Sequence, residues 1–287
     1  MKQASISTAI PRQAAGSKTS DEPLKNLFAQ GAAAWKLSQR PTAFISFIIP
    51  AIVMLFGAAT ALMGKEAYKW FTGEDGASEN LQVLFWGLAL TLGFIVMVRL
   101  WKTGAKIFSL LYLFLNFGMI FIIGEEVSWG QRIFGWETSE SMRAINKQEE
   151  TNIHNIEGIG DKIKWLHVLM GTYGTILPLI FLRAQMRARP LDAASLLVPH
   201  YTLLPYFFTT LVWRLQANLW KPPKSLYFAI TEYSEVMELV LAIAFFLFLL
   251  FQFRNLRIAR EARVVEEPML NSMHRMNRMP NQRLRIN

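Results

Sequence analysis

Five glutamates, three histidines and two arginines are the residues of this chain whose types and spacing suit chemistry. Glu125 and Glu126 are adjacent at the end of an apolar run, Ile107 to Gly124. Glu232, Glu235 and Glu238 repeat at intervals of three inside another apolar run. On a helix those intervals put the three carboxylates within about a 120° arc, stacked over roughly 9 Å of rise. A charge inside a membrane-spanning helix costs at least about 2.5–3.5 kcal/mol and is by default a functional site. His154, His167 and His200 are placed to join them. Carboxylates this close cannot all ionise without compensation, because like charge and burial both favour the neutral acid. Three compensations are open. A divalent metal would be held by His154, His167 and Glu150, since Glu150 and His154 lie four apart and share a helical face. Arg132 and Arg214 would pair with the acids. Or some carboxyls stay protonated and relay protons. On this reading Glu125, Glu126, Glu235 and Glu238 are the ligands or acid/base groups, and Arg132 is the clamp for an anion or carboxylate.

Each residue also has a structural role available. Glu125 and Glu126 can mark a span end at the interface. Glu238 can belong to an ion pair, His154 can be a hydrogen-bonding loop residue, and His167 can be an interfacial histidine. His200, between Pro199 and Tyr201, can serve backbone groups freed by a kink. Trp129, Phe134 and Trp136 suit an interfacial aromatic belt. Ser128 lacks the sequence context of a serine nucleophile.

The elements that must position these groups are membrane helices. Hydrophobic residues make up 52% of the 287 and charged residues only 18%. A bilayer core of roughly 30 Å takes about 20 apolar residues as helix. Six runs qualify, at Ala43–Met63, Leu81–Val98, Ile107–Gly124, Leu166–Leu182, Ala193–Trp213 and Leu226–Phe251. Gly171, Gly174, Pro178, Pro199 and Pro205 interrupt the fourth and fifth. The expected fold is therefore all-α, a polytopic membrane helix bundle of about six spans. Residues 1–20 read as a disordered leader without a cleavable signal peptide. Residues 21–253 read as the membrane domain, with an interfacial helix at 21–40 and a polar outer-face segment at 124–165. Residues 254–287 read as a basic tail.

The formal net charge is +9, but its distribution argues for topology and against nucleic acid. With the N-terminus inside, the segments on that side hold 20 Lys and Arg and those on the other side hold 10. This bias puts both termini in the cytoplasm and the Gly124–Lys164 segment outside. The absence of Cys excludes disulfides, thiolate catalysis and Cys-ligated metal sites. No internal repeat of the kind transporters carry is visible.

Two resemblances rest on the outer segment. GEEVSWGQRIFGWET followed by NKQEETNIHN resembles a recurrent signature of an uncharacterised bacterial inner-membrane family, which implies location without an activity. Glu125-Glu126 with Arg132 is similar to the Glu-Glu-x-x-x-Arg motif of CAAX-type intramembrane proteases, whose paired acids work with histidines of other helices. Arg132 falls two residues later than that motif places its arginine, and no His-x-x-x-Asn follows.

The functional expectation is an inner-membrane enzyme acting on a lipid or lipid-linked substrate, with a divalent metal as an optional helper and membrane lipids as its surroundings. The alternatives are a proton-coupled carrier using the same acids and a non-enzymatic assembly protein. The single-site expectation is sharp. Glu125 or Glu126 should lie within a side-chain length of Glu235 or Glu238, with His154 or Arg132 between them and the third and sixth spans touching.

Overall fold

A computed structural model describes residues 21–146, 150–154, 156, 158–186, 193–220 and 222–277, without the side chains of 21–23, 132, 160–161, 193–194 and 258–277. The described chain is an all-α bundle. It contains five helices long and apolar enough to cross a membrane.

α1 (Asp21–Ala34) leads into α2 (Gln39–Ala43) and α3 (Ile49–Met63), which a π turn over Phe44–Ile48 joins into one rod. The π turn loosens the regular ladder, and the Tyr206 hydroxyl donates to the Ile45 carbonyl within it, at 2.5 Å. The short α4 (Lys65–Thr72) turns into α5 (Ala77–Lys102), and α6 (Lys106–Glu126) returns against α5. A largely irregular stretch follows, carrying among its described residues a 3-10 turn at Ser128–Gly130, α7 (Gln131–Phe134) and α8 (Glu140–Arg143). Then come α9 (Gly160–Ile180), α10 (Leu182–Met186), α11 (Ala193–Leu197), α12 (Leu204–Leu219) and α13 (Tyr227–Asn277). One end of the bundle carries Glu125 and the starts of α9 and α13; it is called the acidic end below. The opposite, basic end carries Arg99, Lys102, Lys106 and Arg257.

α13 is the axis. Its apolar segment is hydrophobic on every side, and such a helix belongs in the middle of a bundle. In its most apolar window 78% of the residues are buried, against 22–28% in the other four spans. α3, α5 and α12 pack around it, α6 lies outside α5, and α9 lies against α12. The outer spans turn Phe56, Phe94, Phe114 and Leu169 outward, which is the surface a lipid-facing helix presents. α13 continues through residues 254–277, so the first part of the expected basic tail is helical.

Six spans were expected and five helices meet the length. The fifth run, Ala193–Trp213, is broken. Pro199 supplies no N–H, and Pro205 opens α12, so helix cannot continue through 198–203. α12 is left with 16 residues, roughly 24 Å of rise against a core of about 30 Å. The chain still passes along α9 as an antiparallel partner. Gly174 lies under Phe207 and Gly171 under Leu211, so close that a Cβ at Gly174 would sit 2.0 Å from the Phe207 ring. Small residues here let two helix backbones approach.

A broken passage leaves backbone carbonyls exposed to an apolar medium, where each unsatisfied group costs several kcal/mol. Four helices answer them one by one. Gln252 Nε2 donates to Ser195 O at 2.7 Å, Tyr112 OH to Leu196 O at 2.7 Å and Gln185 Nε2 to Pro199 O at 2.9 Å. The Tyr173 hydroxyl donates to Leu197 O. His200 caps the following turn through Thr202, with Nδ1 2.9 Å from its hydroxyl, and stacks on Phe251. α1 docks on the same turn: Trp35 Nε1 donates to Thr202 Oγ1 at 2.8 Å, and Tyr201 OH to Leu27 O at 2.7 Å. The expected interfacial helix is therefore tied to the bundle by buried groups as well.

Candidate functional site

Two polar clusters occupy the acidic end. The first is built by the outer segment around Glu125, the last residue but one of α6. Its carboxylate is buried, 6% exposed, and receives four groups. Trp129 Nε1 donates to Oε1 at 2.7 Å; the backbone N–H groups of Ile153 and His154 donate to Oε2 at 2.7 and 2.8 Å. The His154 ring follows, with Nδ1 3.3 Å from Oε2. To return Trp129 onto Glu125 the chain turns sharply. Ser128, Trp129 and Gly130 all take left-handed φ values, 47°, 53° and 94°, which cost a non-glycine residue about 1 kcal/mol or more each.

Hydroxyl, carboxylate and amide side chains of the segment hold this turn together. Ser128 Oγ donates to Glu150 Oε2 at 2.7 Å, and Asn152 Nδ2 donates to the same oxygen at 2.6 Å. Asn146 Nδ2 reaches Asn152 O and Oδ1, each at 2.9 Å. Gln131 accepts from Thr151 N at 2.8 Å and donates to Thr138 Oγ1 at 2.7 Å. Glu126 lies half-buried beside Glu125 and is itself engaged. Phe134 and Trp136 stack 5.4 Å apart on the exposed rim. Arg132 sits in α7, and its side chain lies outside the described residues.

The second cluster lies within the bundle, between α9, α12 and α13. Arg214 of α12 is only 3% exposed. Its Nη2 pairs with Glu238 Oε1 and its Nη1 donates to Ser234 Oγ at 3.0 Å. The other oxygen of Glu238 is 3.7 Å from His167 Nε2 on α9. One turn along α13, Glu235 Oε2 accepts from Gln82 Nε2 of α5 at 3.0 Å. Seven buried atoms on α5, α9 and α12 have no hydrogen-bond partner among the described residues, and His167 Nδ1, Arg214 Nε, Asn218 Nδ2 and Gln82 Oε1 are four of them.

The expected residues thus divide. Glu125 and His154 form one contact; Glu238, His167 and Arg214 form another; Glu235 stands next to the second. The third and sixth spans are separated by α5, which packs on both. His154 is bonded to Glu125 and belongs to the first cluster. The expected metal set does not assemble: Glu150 is held by Ser128 and Asn152, His154 by Glu125 and His167 by Glu238. Among the described residues no three Asp, Glu or His side chains converge as ligands. Gln82 and Ser234 were not among the candidates. Gln82 had a signal, as the one amide inside the second apolar run; Ser234 had none beyond its place among the glutamates.

Chemically, the second cluster is a carboxylate–imidazole pair anchored by a guanidinium. Glu238 faces Nε2 of His167, so it favours the tautomer protonated there and leaves the lone pair on Nδ1. Comparison with models of protein families, with curated proteins and with solved structures finds no match.

Proposed function

We propose that this chain is a multi-pass bacterial inner-membrane enzyme that performs acid/base chemistry on a lipid or lipid-linked substrate. The observation that carries the reading is Glu238 held between Arg214 and His167. In such a pair the carboxylate orients the imidazole and stabilises its protonated form, while the free ring nitrogen takes a proton from a hydroxyl or a water. Here that nitrogen is His167 Nδ1, buried and unpartnered. Arg214 Nε and Asn218 Nδ2 supply donors for an oxygen of the substrate. α9, which carries His167, is among the spans with the least buried surface, so a lipid-borne group has only one helix to pass. The Glu125 cap closes the acidic end and keeps His154 at its rim, 35% exposed, where it can exchange protons with water.

A second reading, a proton-coupled carrier, is favoured by the ladder Glu232, Glu235 and Glu238 along one face of α13. One experiment separates the two. The gene is deleted in its host and restored as wild type, His167→Ala or Glu238→Gln, and membrane lipids are profiled by mass spectrometry. For the enzyme, one lipid or lipid-linked species should accumulate on deletion and return to normal with wild type alone. Full rescue by both variants sinks the acid/base site. Unchanged lipids in every strain, together with variant-sensitive proton flux in proteoliposomes, favour the carrier.

Topology is the second expectation, and it rests on the Lys/Arg distribution. α12 lies antiparallel along α9, and on this reading the chain makes six passages and returns to its starting side. A reporter active only in the cytoplasm should work when fused at Asn287 and fail near Lys147. Activity at Lys147 reverses the orientation.

A further inference from the structure

At the basic end, α5 and α6 are joined by a tight turn, Thr103-Gly104-Ala105, with Gly104 at a φ of 82°. Lys102 and Lys106 flank the turn, both exposed. Beneath them a groove of about 230 Å³ runs between the two helices on the outside of the bundle, away from the acidic end. Met97, Val98, Trp101, Leu110 and Leu113 line it, and its wall is almost wholly apolar. Its one hydroxyl is spent: Ser109 Oγ donates to Met97 O at 2.9 Å. Lys102 borders the mouth, and Lys106 Nζ lies 5.6 Å from the Trp101 ring. Arg99 is turned the other way, to Phe253 O and its ring.

We infer that this groove is a binding site for an anionic phospholipid, with an acyl chain between α5 and α6 and the phosphate on Lys102 and Lys106. The charge decides the occupant. Lys102 borders the groove and Lys106 lies over Trp101 in its wall, with no acidic side chain between the two lysines in sequence, and the rest of the lining is apolar. A zwitterionic headgroup would bring its own cation against those lysines, whereas an anionic one adds attraction at each. Basic pockets between membrane helices select anionic headgroups in this way, with roughly five-fold in affinity per lysine.

The test titrates the purified full-length protein in mild detergent with phosphatidylglycerol and phosphatidylcholine of matched chains, read by native mass spectrometry. Phosphatidylglycerol should be retained at least about ten-fold better. Lys102→Gln with Lys106→Gln should abolish that preference, and Leu110→Trp, which fills the groove from its exposed side, should weaken retention of both lipids. Dihexanoyl phosphatidylglycerol, too short to fill the groove, should bind weakly. Lys65→Gln with Lys69→Gln, at the acidic end, should change nothing. Equal retention of the two lipids overturns the proposal. So does an equal loss in the Lys65/Lys69 variant, which would mark general attraction to a basic protein. All the substitutions are on exposed positions, and an unshifted unfolding temperature checks that they leave the fold intact.

Discussion

Arg214→Met should destabilise the bundle by about 3–5 kcal/mol, the usual cost of stripping one partner from a buried ion pair. Arg214 is almost fully buried, and Glu238 depends on it for one oxygen. Without the guanidinium, Glu238 keeps only its longer contact with His167 and must hold its charge in an apolar bundle or take up a proton. Unfolding in mixed micelles measures the loss. The double variant Arg214→Met with Glu238→Leu should regain most of it, because apolar residues often replace a buried pair without penalty. Yet the double variant should fail to restore the lipid profile of the deletion strain. Stability and function then separate: the pair is dispensable for folding as a unit and indispensable for the chemistry. A single variant within about 1 kcal/mol of wild type would mean that the pair is solvated, and the buried-site argument would fall.

The second large effect is expected at Glu125. Glu125→Ala leaves the Trp129 indole N–H and the N–H groups of Ile153 and His154 without their acceptor. A donor that water does not reach after the loss costs about 1–3 kcal/mol. These bonds also hold three residues in left-handed conformations, so the turn has little reason to persist without them. The loss should be local, because α6 and the core around α13 do not depend on the cap. Hydrogen exchange at Ile153 and His154 should accelerate roughly 100-fold or more, while amides of α13 stay protected. Glu125→Gln keeps one acceptor oxygen and should fall between. Unchanged exchange at both amides in Glu125→Ala would show that the cap is held by Asn146, Glu150 and Asn152 alone.

These two cases show how the chemistry was apportioned. The residues with the densest polar context, Glu125 through His154, turned out to satisfy one another. Much of that density is the hydrogen bonding a non-helical segment needs when it folds against a membrane-facing end. The buried titratable groups that lack a full set of partners, His167 and Arg214, lie instead on α9 and α12.

What the sequence by itself determined is the set of properties that depend on short stretches. Apolar length marked the spans, the interval of three put Glu235 and Glu238 on one face of α13, and prolines 199 and 205 marked where the fifth run would break. Each of these follows from local backbone geometry and from the cost of polar groups in hydrocarbon. Only the tertiary structure decided the partners. Arg214 and Glu238 are 24 residues apart and Gln82 and Glu235 are 153 apart. A span that is apolar all round carries no stripe to say which way it faces, so neither pairing is written in periodicity. Helix order decided the rest: α5 stands between α6 and α13, and that placement divided one expected site into two clusters. The rotation of each helix in the bundle is fixed by close contacts such as Gly174 under Phe207 and Gly57 under Val236, and those contacts exist only once the helices have packed.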